Sequence, residues 1–273
     1  MSRVAVVTDS AADLPGGLAS SENIEVVPLT VRFGDREFRD GRDLPMKRFW
    51  SRVEAGEVPT TASPSPGELL DLYRAAAERG AGGIVSVHVS RFLSRTVETA
   101  SLAAREAPVP VTIVDSRAVS LGQALVALAA SRSSQMGADR EAVAAAAESA
   151  AAALTVCAFV DTVEFLQRGG RVGRAKAAIS ELLKIRPVLT LDEGEPVVAS
   201  RARTRGRAIR EILDRSSRPA VACAVFHAQA PEADAVASAL AESCGVYPLV
   251  GEIGSVTGTH LGPRSLGVAV VRR

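Results

Sequence analysis

Hydroxyl side chains gather in two stretches of the chain that are well suited to hold an anion. Residues 59–67 (PTTASPSPG) carry three prolines that stiffen an extended loop, and hydroxyls such as that of Thr61 can donate to a carboxylate or phosphate oxygen. In the second stretch, Ser94 stands at the start of a predicted helix, with Glu98 about one turn later. Serine in this position is typical of an N-cap, but the free N–H groups and positive dipole end of a helix also bind anions. Both interpretations of Ser94 stay open.

Arginine, glycine and histidine supply further candidates for an anion site. Residues 167–174 (QRGGRVGR) hold three arginines and three glycines, with Arg171 among them. The stretch has neither the ending of a Walker A loop nor the setting of a dinucleotide fingerprint, so we expect a fixed turn that aims one arginine inward. His260 lies within 252–263, a Gly- and Thr-rich stretch predicted to be a loop between strands. A lone histidine is usually structural or solvated, but in such a loop it can donate to an anion.

The sequence lacks the usual equipment for covalent or metal chemistry. It has no serine-hydrolase elbow, no cluster with metal-ligand spacing and no paired-cysteine motif, and its only histidines are His88, His227 and His260. Groups that could bind an anion therefore outnumber groups that could transform it. We expect a binding site with no catalytic residue, no metal and no cofactor.

Alternating strands and helices in the first half predict a parallel sheet that would position these groups. Strands are predicted at 4–7, 24–31, 83–89 and 111–114, and helices from residue 45 and at 68–79, 94–106, 121–136 and 139–154. Residues 58–67 are predicted to be irregular because of their prolines and glycine. The alternation is typical of right-handed βαβ units, whose ligands sit at the carboxyl ends of the strands. Polar residues end three of these strands, although turns and N-caps explain each one singly.

The second half predicts a mixed sheet with fewer helices. Strands are predicted at 156–160, 188–191, 197–199, 221–226, 246–251 and 266–271, and helices at 176–184, 204–215 and 233–242. Residues 193–194 (EG) are expected to join two of these strands as a hairpin. We therefore predict an α/β protein of two domains, with a parallel sheet in residues 1–154 and a mixed sheet in residues 155–273.

Composition and charge argue against several classes of partner. The chain of 273 residues has 32 basic and 31 acidic side chains, so no basic excess supports binding to nucleic acid or an anionic membrane. Aromatic residues make up 4% of the chain, too few for repeated base stacking. The three cysteines form no zinc pattern, and no apolar run has the length of a signal segment or a membrane span. We expect a soluble cytoplasmic protein.

Seven short motifs follow one another over nearly the whole chain. They are residues 7–15 (VTDSAADLP), Thr60-Thr61 with 64–67 (PSPG), Leu93-Ser94, Asp115-Ser116 with Ser120 and Gly122, residues 169–173 (GGRVG), residues 258–260 (GTH), and Gly262-Pro263. In this order they resemble the motifs of the DegV family of bacterial fatty-acid-binding proteins. Each motif by itself is common, and the ordered set carries the resemblance.

The resemblance implies a fold and a function. A long-chain fatty acid would lie in a tunnel between a Rossmann-like N-terminal domain and a C-terminal α/β domain. The protein, a monomer without catalytic activity, would hand the acid to a fatty acid kinase that makes acyl-phosphate, a phospholipid precursor. By resemblance, Thr61 and Ser94 would bind the carboxylate, while Arg171 and His260 would complete the polar network. Arg203, in the basic run 201–207, would help dock the kinase, although a solvated helix start is an equal interpretation of that run.

Two departures from the family pattern bear on the head group. The family usually reads Thr-Ser-Gln-Pro where this chain has TASP at 61–64, and Leu-Ser-Gly-Thr where it has LSRT at 93–96. Arg95 would crowd the carboxylate or add a cation to it, and it would be strained if the backbone there demanded glycine. Two other hypotheses stay open. One is an enzyme acting on a small carboxylated or phosphorylated metabolite, and the other is a regulator whose domains close on a lipid.

Overall fold

A four-stranded parallel sheet dominates the first part of the computed structural model, which describes residues 3–175 and 185–273. Its strands are β1 (Arg3–Asp9), β2 (Ile24–Val27), β6 (Ala81–His88) and β7 (Val111–Asp115), in the order β2-β1-β6-β7. β1 and β6 are buried along almost their whole length, as central strands of a parallel sheet are. Thr8 pairs with Val87, so both strands end at the same edge of the sheet.

Helices cover both faces of this sheet, as the alternation predicts. The helices of this part are α1 (Leu18–Ser21), α2 (Met46–Glu54), α3 (Pro66–Glu78), α4 (Thr96–Ala104), α5 (Leu121–Gln135) and α6 (Arg140–Ala153). Because successive side chains of a strand point to opposite faces, Ala5 and Val7 pack with α3 and α4, whereas Val4 and Val6 pack with α5 and α6. α3 begins with Pro66 after a capping box between Ser65 and Glu68.

A small antiparallel sheet overturns two predictions. The strand predicted at 24–31 is broken around Pro28: β2 ends at Val27, and β3 (Thr30–Phe33) belongs to a second sheet with β4 (Arg36–Arg39) and β5 (Pro59–Ala62). β5 lies in the stretch predicted to be irregular, so that prediction is wrong. A proline is tolerated as the first residue of an edge strand, and Pro59 starts β5 opposite Phe33. A turn at residues 34–35 joins β3 to β4.

The second part of the chain forms a six-stranded mixed sheet. Its strands are β8 (Leu154–Phe159), β9 (Arg186–Asp192), β10 (Glu195–Ala202), β11 (Ala220–His227), β12 (Leu249–Glu252) and β13 (Leu266–Arg272), in the order β10-β9-β8-β13-β11-β12. β11 and β12 pair in parallel, and the other pairs are antiparallel, including the predicted hairpin β9–β10. The helices are α7 (Glu164–Gly169), α8 (Arg205–Ser216), α9 (Ala233–Cys244) and α10 (Ser255–Leu261). The helix predicted at 176–184 lies outside the described residues.

The two larger sheets share one hydrophobic cluster through α5. This helix is buried on nearly every side, and its residues Leu121 and Ala124 pack in a cluster that also contains Val85 of β6 and Phe226 of β11. Residues 121–130 of α5 are apolar apart from Gln123, and an apolar helix is typical of such an interior position. The predicted α/β class with a parallel and a mixed sheet is confirmed, while the division at residue 154 stays a prediction. No helix among the described residues is long and apolar enough to cross a membrane.

Candidate functional site

An apolar cavity lies between the carboxyl edge of the parallel sheet and the mixed sheet. Val89, just after β6, contributes to one wall, and Val156, Ala158 and Leu189 contribute from the mixed sheet. Val156 and Ala158 lie two residues apart on β8, so both point to the same face of the sheet. The polar residues of the lining are Thr61, Ser63, Ser94, Arg171, Thr190, Thr257 and His260. Four of the residues singled out from the sequence therefore meet at one cavity.

The closest contact among them joins Thr61 of β5 to His260 of α10. Thr61 Oγ1 lies 2.9 Å from His260 Nε2. Thr61 is held because β5 pairs with β3, where it stands opposite Val31. The short strand that was predicted to be an irregular loop therefore gives this hydroxyl a defined position.

His260 lies on a helix where the sequence predicts a loop, so that prediction is wrong. Two buried carboxylates from the first half of the chain bind the start of α10. Asp13 Oδ1 accepts from Gly254 N–H at 2.9 Å, and Asp40 Oδ1 accepts from Ser255 N–H at 3.0 Å. Gly258 allows α10 to approach an aromatic pair, since a Cβ there would lie 3.1 Å from ring atoms of Phe49 and Trp50. These contacts come from distant segments and leave no helix signal in the local sequence.

His260 is held as a neutral imidazole. Burial, together with the positive charge of Arg171, lowers its pKa from 6.5 to about 4. Its Nδ1 has no hydrogen-bond partner among the described residues and faces Gly169, where a Cβ would lie 2.2 Å from it. A proton on Nδ1 would be a buried donor without an acceptor, so the proton belongs on Nε2. Nε2–H then donates to Thr61 Oγ1, which leaves the Thr61 hydroxyl proton free for a ligand oxygen.

Ser94 does not cap α4, and that interpretation is wrong. The helix begins at Thr96, and no side chain hydrogen-bonds its first turn from the capping position. Ser94 Oγ instead lies 2.8 Å from Ser63 Oγ and 2.8 Å from Thr96 Oγ1. Ser63, one of the two departures from the family pattern at 61–64, thus adds a further hydroxyl to the cavity. Sequence reasoning placed Ser63 in the hydroxyl-rich stretch without selecting it.

Two arginines near Ser94 occupy different positions. Arg171 is exposed but still lines the cavity, and its guanidinium donates to the carbonyl oxygens of Gly169 at 2.8 Å and Leu93 at 3.4 Å. A guanidinium has five N–H donors, so others stay available to a ligand at the rim. Arg95 does not line the described part of the cavity. Its φ of −84° is ordinary for any residue, so the backbone at this position does not demand glycine and arginine is not strained there.

Arg203 stands apart from the cavity. It lies between β10 and α8, its side chain is exposed, and it is not among the described residues that line the cavity.

Thr257, which the sequence analysis did not select, lines the cavity, and its Oγ1 has no hydrogen-bond partner in the part of the chain that the structure describes. In the sequence, the only indication of a role for Thr257 was its place in the Gly- and Thr-rich stretch 252–263. The described residues contain no group of three or more His, Cys, Asp or Glu side chains that could hold a metal ion.

The site therefore combines an apolar cavity with one polar region of hydroxyls, a neutral histidine and an arginine. Such a site accommodates an amphipathic molecule, with an aliphatic body along the apolar walls and an anionic group against the donors. The architecture is that of an α/β protein with an apolar cavity between two sheets.

The chain belongs to the DegV family, whose sequence model, described as that of an uncharacterised protein, matches residues 3–273. The DegV domain-containing protein SCO2569 of Streptomyces coelicolor is 39% identical over 281 residues, which cover 100% of both chains. A solved DegV family protein from Thermus thermophilus, described by its fatty acid binding, superposes with a TM-score of 0.92 at 36% identity over 99% of this chain and 100% of its own. DegV from Bacillus subtilis, described as a fatty acid binding protein, gives 0.91 at 30% identity with 100% of both chains covered. The predicted family and the DegV-like fold are confirmed.

Proposed function

We propose that this protein binds a long-chain fatty acid in the cavity and presents its carboxylate to a fatty acid kinase, which forms the acyl-phosphate. The observation that carries the proposal is the convergence of Thr61, Ser94, Arg171 and His260 on one apolar cavity. Fatty acid binding by the similar Thermus and Bacillus proteins supports it. In this proposal the protein is a monomeric carrier in the cytoplasm and needs no cofactor. Its ligand tunnel lies between a domain of residues 1–154 and a domain of residues 155–273.

The polar residues match the needs of a carboxylate. A buried carboxylate without hydrogen bonds is very costly, so a fatty acid site must supply donors at the head group. Thr61 can donate its hydroxyl proton because His260 Nε2–H occupies its oxygen from behind. Ser94 supplies a second hydroxyl, and Arg171 supplies positive charge from the rim. Hydrogen bonds to a charged group contribute roughly 1.5–3 kcal/mol each.

The apolar walls match the acyl chain. Burying each CH₂ contributes ~0.8 kcal/mol, so a 16-carbon chain gains roughly 12 kcal/mol before the entropy cost of binding is subtracted. Leu189, Leu191 and Phe226 line the cavity from the mixed sheet. This gross gain does not depend on the head group of the ligand. The hydrogen-bond donors at the polar end of the cavity therefore determine which head group is bound.

The geometry of His260 supports a carrier over a hydrolytic or transfer enzyme. A hydroxyl–imidazole pair acts as nucleophile and base when a third group holds the other ring nitrogen. Here Nδ1 has no such partner among the described residues and is packed against Gly169. The lowered pKa also makes His260 a weak base. The imidazole is therefore better suited to orient Thr61 than to take its proton.

Ligand extraction tests the proposal. Protein purified without added lipid is denatured, and the extract is analysed by mass spectrometry against the protein concentration. A fatty acid in near-stoichiometric amount is expected, with less retained by Ser94→Ala. Recovery of no fatty acid, together with no uptake of added fatty acid, would contradict the proposal. Conversion of a small phosphoester, lost in His260→Ala, would favour the enzyme hypothesis instead.

Kinase handover is tested separately at Arg203. The exposed position of this residue, outside the cavity lining, supports a role in docking. Arg203→Ala should keep its fatty acid but slow acyl-phosphate formation when a fatty acid kinase and ATP are added. Arg207→Ala, another exposed arginine of the same run, is the matched control. If Arg203→Ala emptied the cavity, the separation of binding from docking would be wrong.

A further inference from the structure

A second pocket, of about 290 Å³, lies on the mixed sheet at the end of α8. Because side chains alternate along a strand, Val156 and Ala158 of β8 face the fatty acid cavity, whereas Thr155 and Cys157 face this pocket. Thr155 and Cys157 form part of the floor of the pocket, and cross-strand pairing adds Val270 of β13, which lies opposite Thr155. The volume is near the lower end of the range for small-molecule sites.

Three arginines surround this pocket. Arg215 and Arg218 come from the end of α8 and the residues after it, and Arg272 comes from β13, two residues beyond Val270 and hence on the same face. No aspartate or glutamate is among the described residues that line the pocket. The chain as a whole has almost balanced charge, so three guanidinium groups around one concave site form a local excess.

Ordinary structural roles account for only part of this arrangement. Arginine near the C-terminus of a helix complements the helix dipole, which applies to Arg215 and Arg218 but not to Arg272 on a strand. Arg215 donates to Ala199 O at 3.0 Å and lies 3.9 Å from Glu211, a distant ion pair. Arg272 donates to Ala153 O at 3.5 Å. These few contacts leave several guanidinium donors unused.

A buried hydroxyl in the lining has only a thiol beside it. Ser216 is 2% exposed, and no nitrogen or oxygen atom of the described residues hydrogen-bonds its Oγ. A thiol is a weak hydrogen-bonding group, so a ligand oxygen in the pocket would stabilise this hydroxyl further. Burial raises the pKa of that thiol, Cys157, while its contacts with Thr190 and Ser216 and the Arg215 charge act in the opposite direction. The thiol is therefore neutral and adds no negative charge that would repel an anion.

We propose that this pocket binds a phosphate group, either as inorganic phosphate or on a small phosphorylated molecule. Guanidinium groups bind phosphate oxygens through paired, charge-assisted hydrogen bonds, and three of them approach one site here. Ser216 supplies a neutral donor from the end of α8, while Thr190 Oγ1 already donates to Val156 O at 2.7 Å. The site lies on the opposite face of β8 from the fatty acid cavity, with Thr190 in both linings, and it does not depend on the function proposed for that cavity.

Calorimetric titration of the full chain tests this site with inorganic phosphate and with glucose 6-phosphate, and glucose is the uncharged control. Binding of either phosphate probe is expected, with at least a tenfold rise in Kd for Arg272→Gln and for Arg218→Gln. Arg210→Gln, which removes an exposed arginine of α8 that does not line the described pocket, should leave Kd unchanged. Tighter binding of glucose 6-phosphate would identify a phosphorylated molecule as the source, and tighter binding of inorganic phosphate would identify the free ion.

A second measurement covers variants that fold poorly. Phosphate should raise the melting temperature of the wild type and of Arg210→Gln. The rise should be smaller for Ser216→Ala, which is a small change inside the pocket. Fatty acid content should be equal in all variants. Absence of binding by both phosphate probes, or equal weakening by Arg210→Gln and Arg272→Gln, would overturn the proposal.

Discussion

Replacing Gly169 with alanine tests the Thr61–His260 pair without removing either side chain. A Cβ at position 169 would lie 2.2 Å from His260 Nδ1 and 3.1 Å from its Cε1. Favourable contacts between heavy atoms begin near ~3.5 Å, so the ring must move by on the order of 1 Å. That movement breaks the 2.9 Å bond between His260 Nε2 and Thr61 Oγ1. Thr61 then loses the group that directs its hydroxyl proton toward the ligand.

The magnitude follows from the bond that is lost. One intramolecular hydrogen bond contributes about 0.5–1.5 kcal/mol net, which corresponds to a roughly two- to tenfold weaker fatty acid affinity. The assay is titration of delipidated protein with a fluorescent fatty acid, alongside thermal unfolding. The apolar walls are unchanged, so some binding should persist in Gly169→Ala.

Gly170→Ala is the matched control next to it. Gly170 has φ +65°, a left-handed conformation, and no described atom lies within 4 Å of an added Cβ. Alanine there should cost about 1 kcal/mol of stability through backbone strain while leaving affinity unchanged. Gly169 is not among the residues with positive φ, so its substitution avoids that strain.

A double substitution makes the mechanism falsifiable. If Cβ acts by displacing the imidazole, Gly169→Ala should have little effect on affinity once His260 is already alanine, and the two changes should be non-additive. Equal losses in Gly169→Ala and Gly170→Ala, full affinity in Gly169→Ala, or simple additivity with His260→Ala would refute the reasoning.

Three further predictions concern ionisation and packing. The pKa of Asp13 is raised from 3.8 to about 8 by burial and by the nearby Asp40, so its charged form is disfavoured in the folded state. The free energy of unfolding should therefore fall as the pH rises from about 4 to about 8. In denaturant titrations, Asp13→Asn should make this pH dependence weaker, and an unchanged pH dependence in the variant would contradict the prediction. Because the pKa of His260 is lowered to about 4, its NMR signal in ligand-free protein should not titrate between about pH 5 and 8, and a midpoint near 6.5 would contradict the assigned burial. Gly267→Ala should lower stability by about 1–3 kcal/mol in urea unfolding, since its Cβ would lie 2.3 Å from the Phe226 ring, and an unaffected midpoint would show that the ring moves freely.

Local sequence patterns predicted most of the regular structure. The alternation of apolar runs and helical segments indicated β1, β6 and β7 and the helices α2, α3 and α4, and these elements are present. The Glu193-Gly194 turn indicated the β9–β10 hairpin, which is also present. Such elements are legible in the sequence because hydrophobic periodicity and turn residues act over a few positions. The ordered motifs also identified the family, since each motif keeps its place along the chain.

The failures share a different cause. β5 exists because it pairs with β3, and α10 exists because Asp13 and Asp40 bind its first N–H groups. In both cases the stabilising partner lies far away in the sequence, so a local reading finds only prolines, glycines and hydroxyls. Whether Arg95 is strained depended on the backbone angle at that position, which the sequence does not report.

The sequence by itself determined the types of group available to hold an anion, the order of the elements and the family. It did not show which groups meet. Only the tertiary structure placed Thr61 beside His260, across a separation of 199 residues, and decided that Ser94 is part of a cavity wall and not a helix cap. The packing of α10 against β5 of the small sheet brings Thr61 and His260 together, and burial keeps His260 neutral. Packing and burial depend on residues from the whole chain, and for that reason they become visible only in the folded protein.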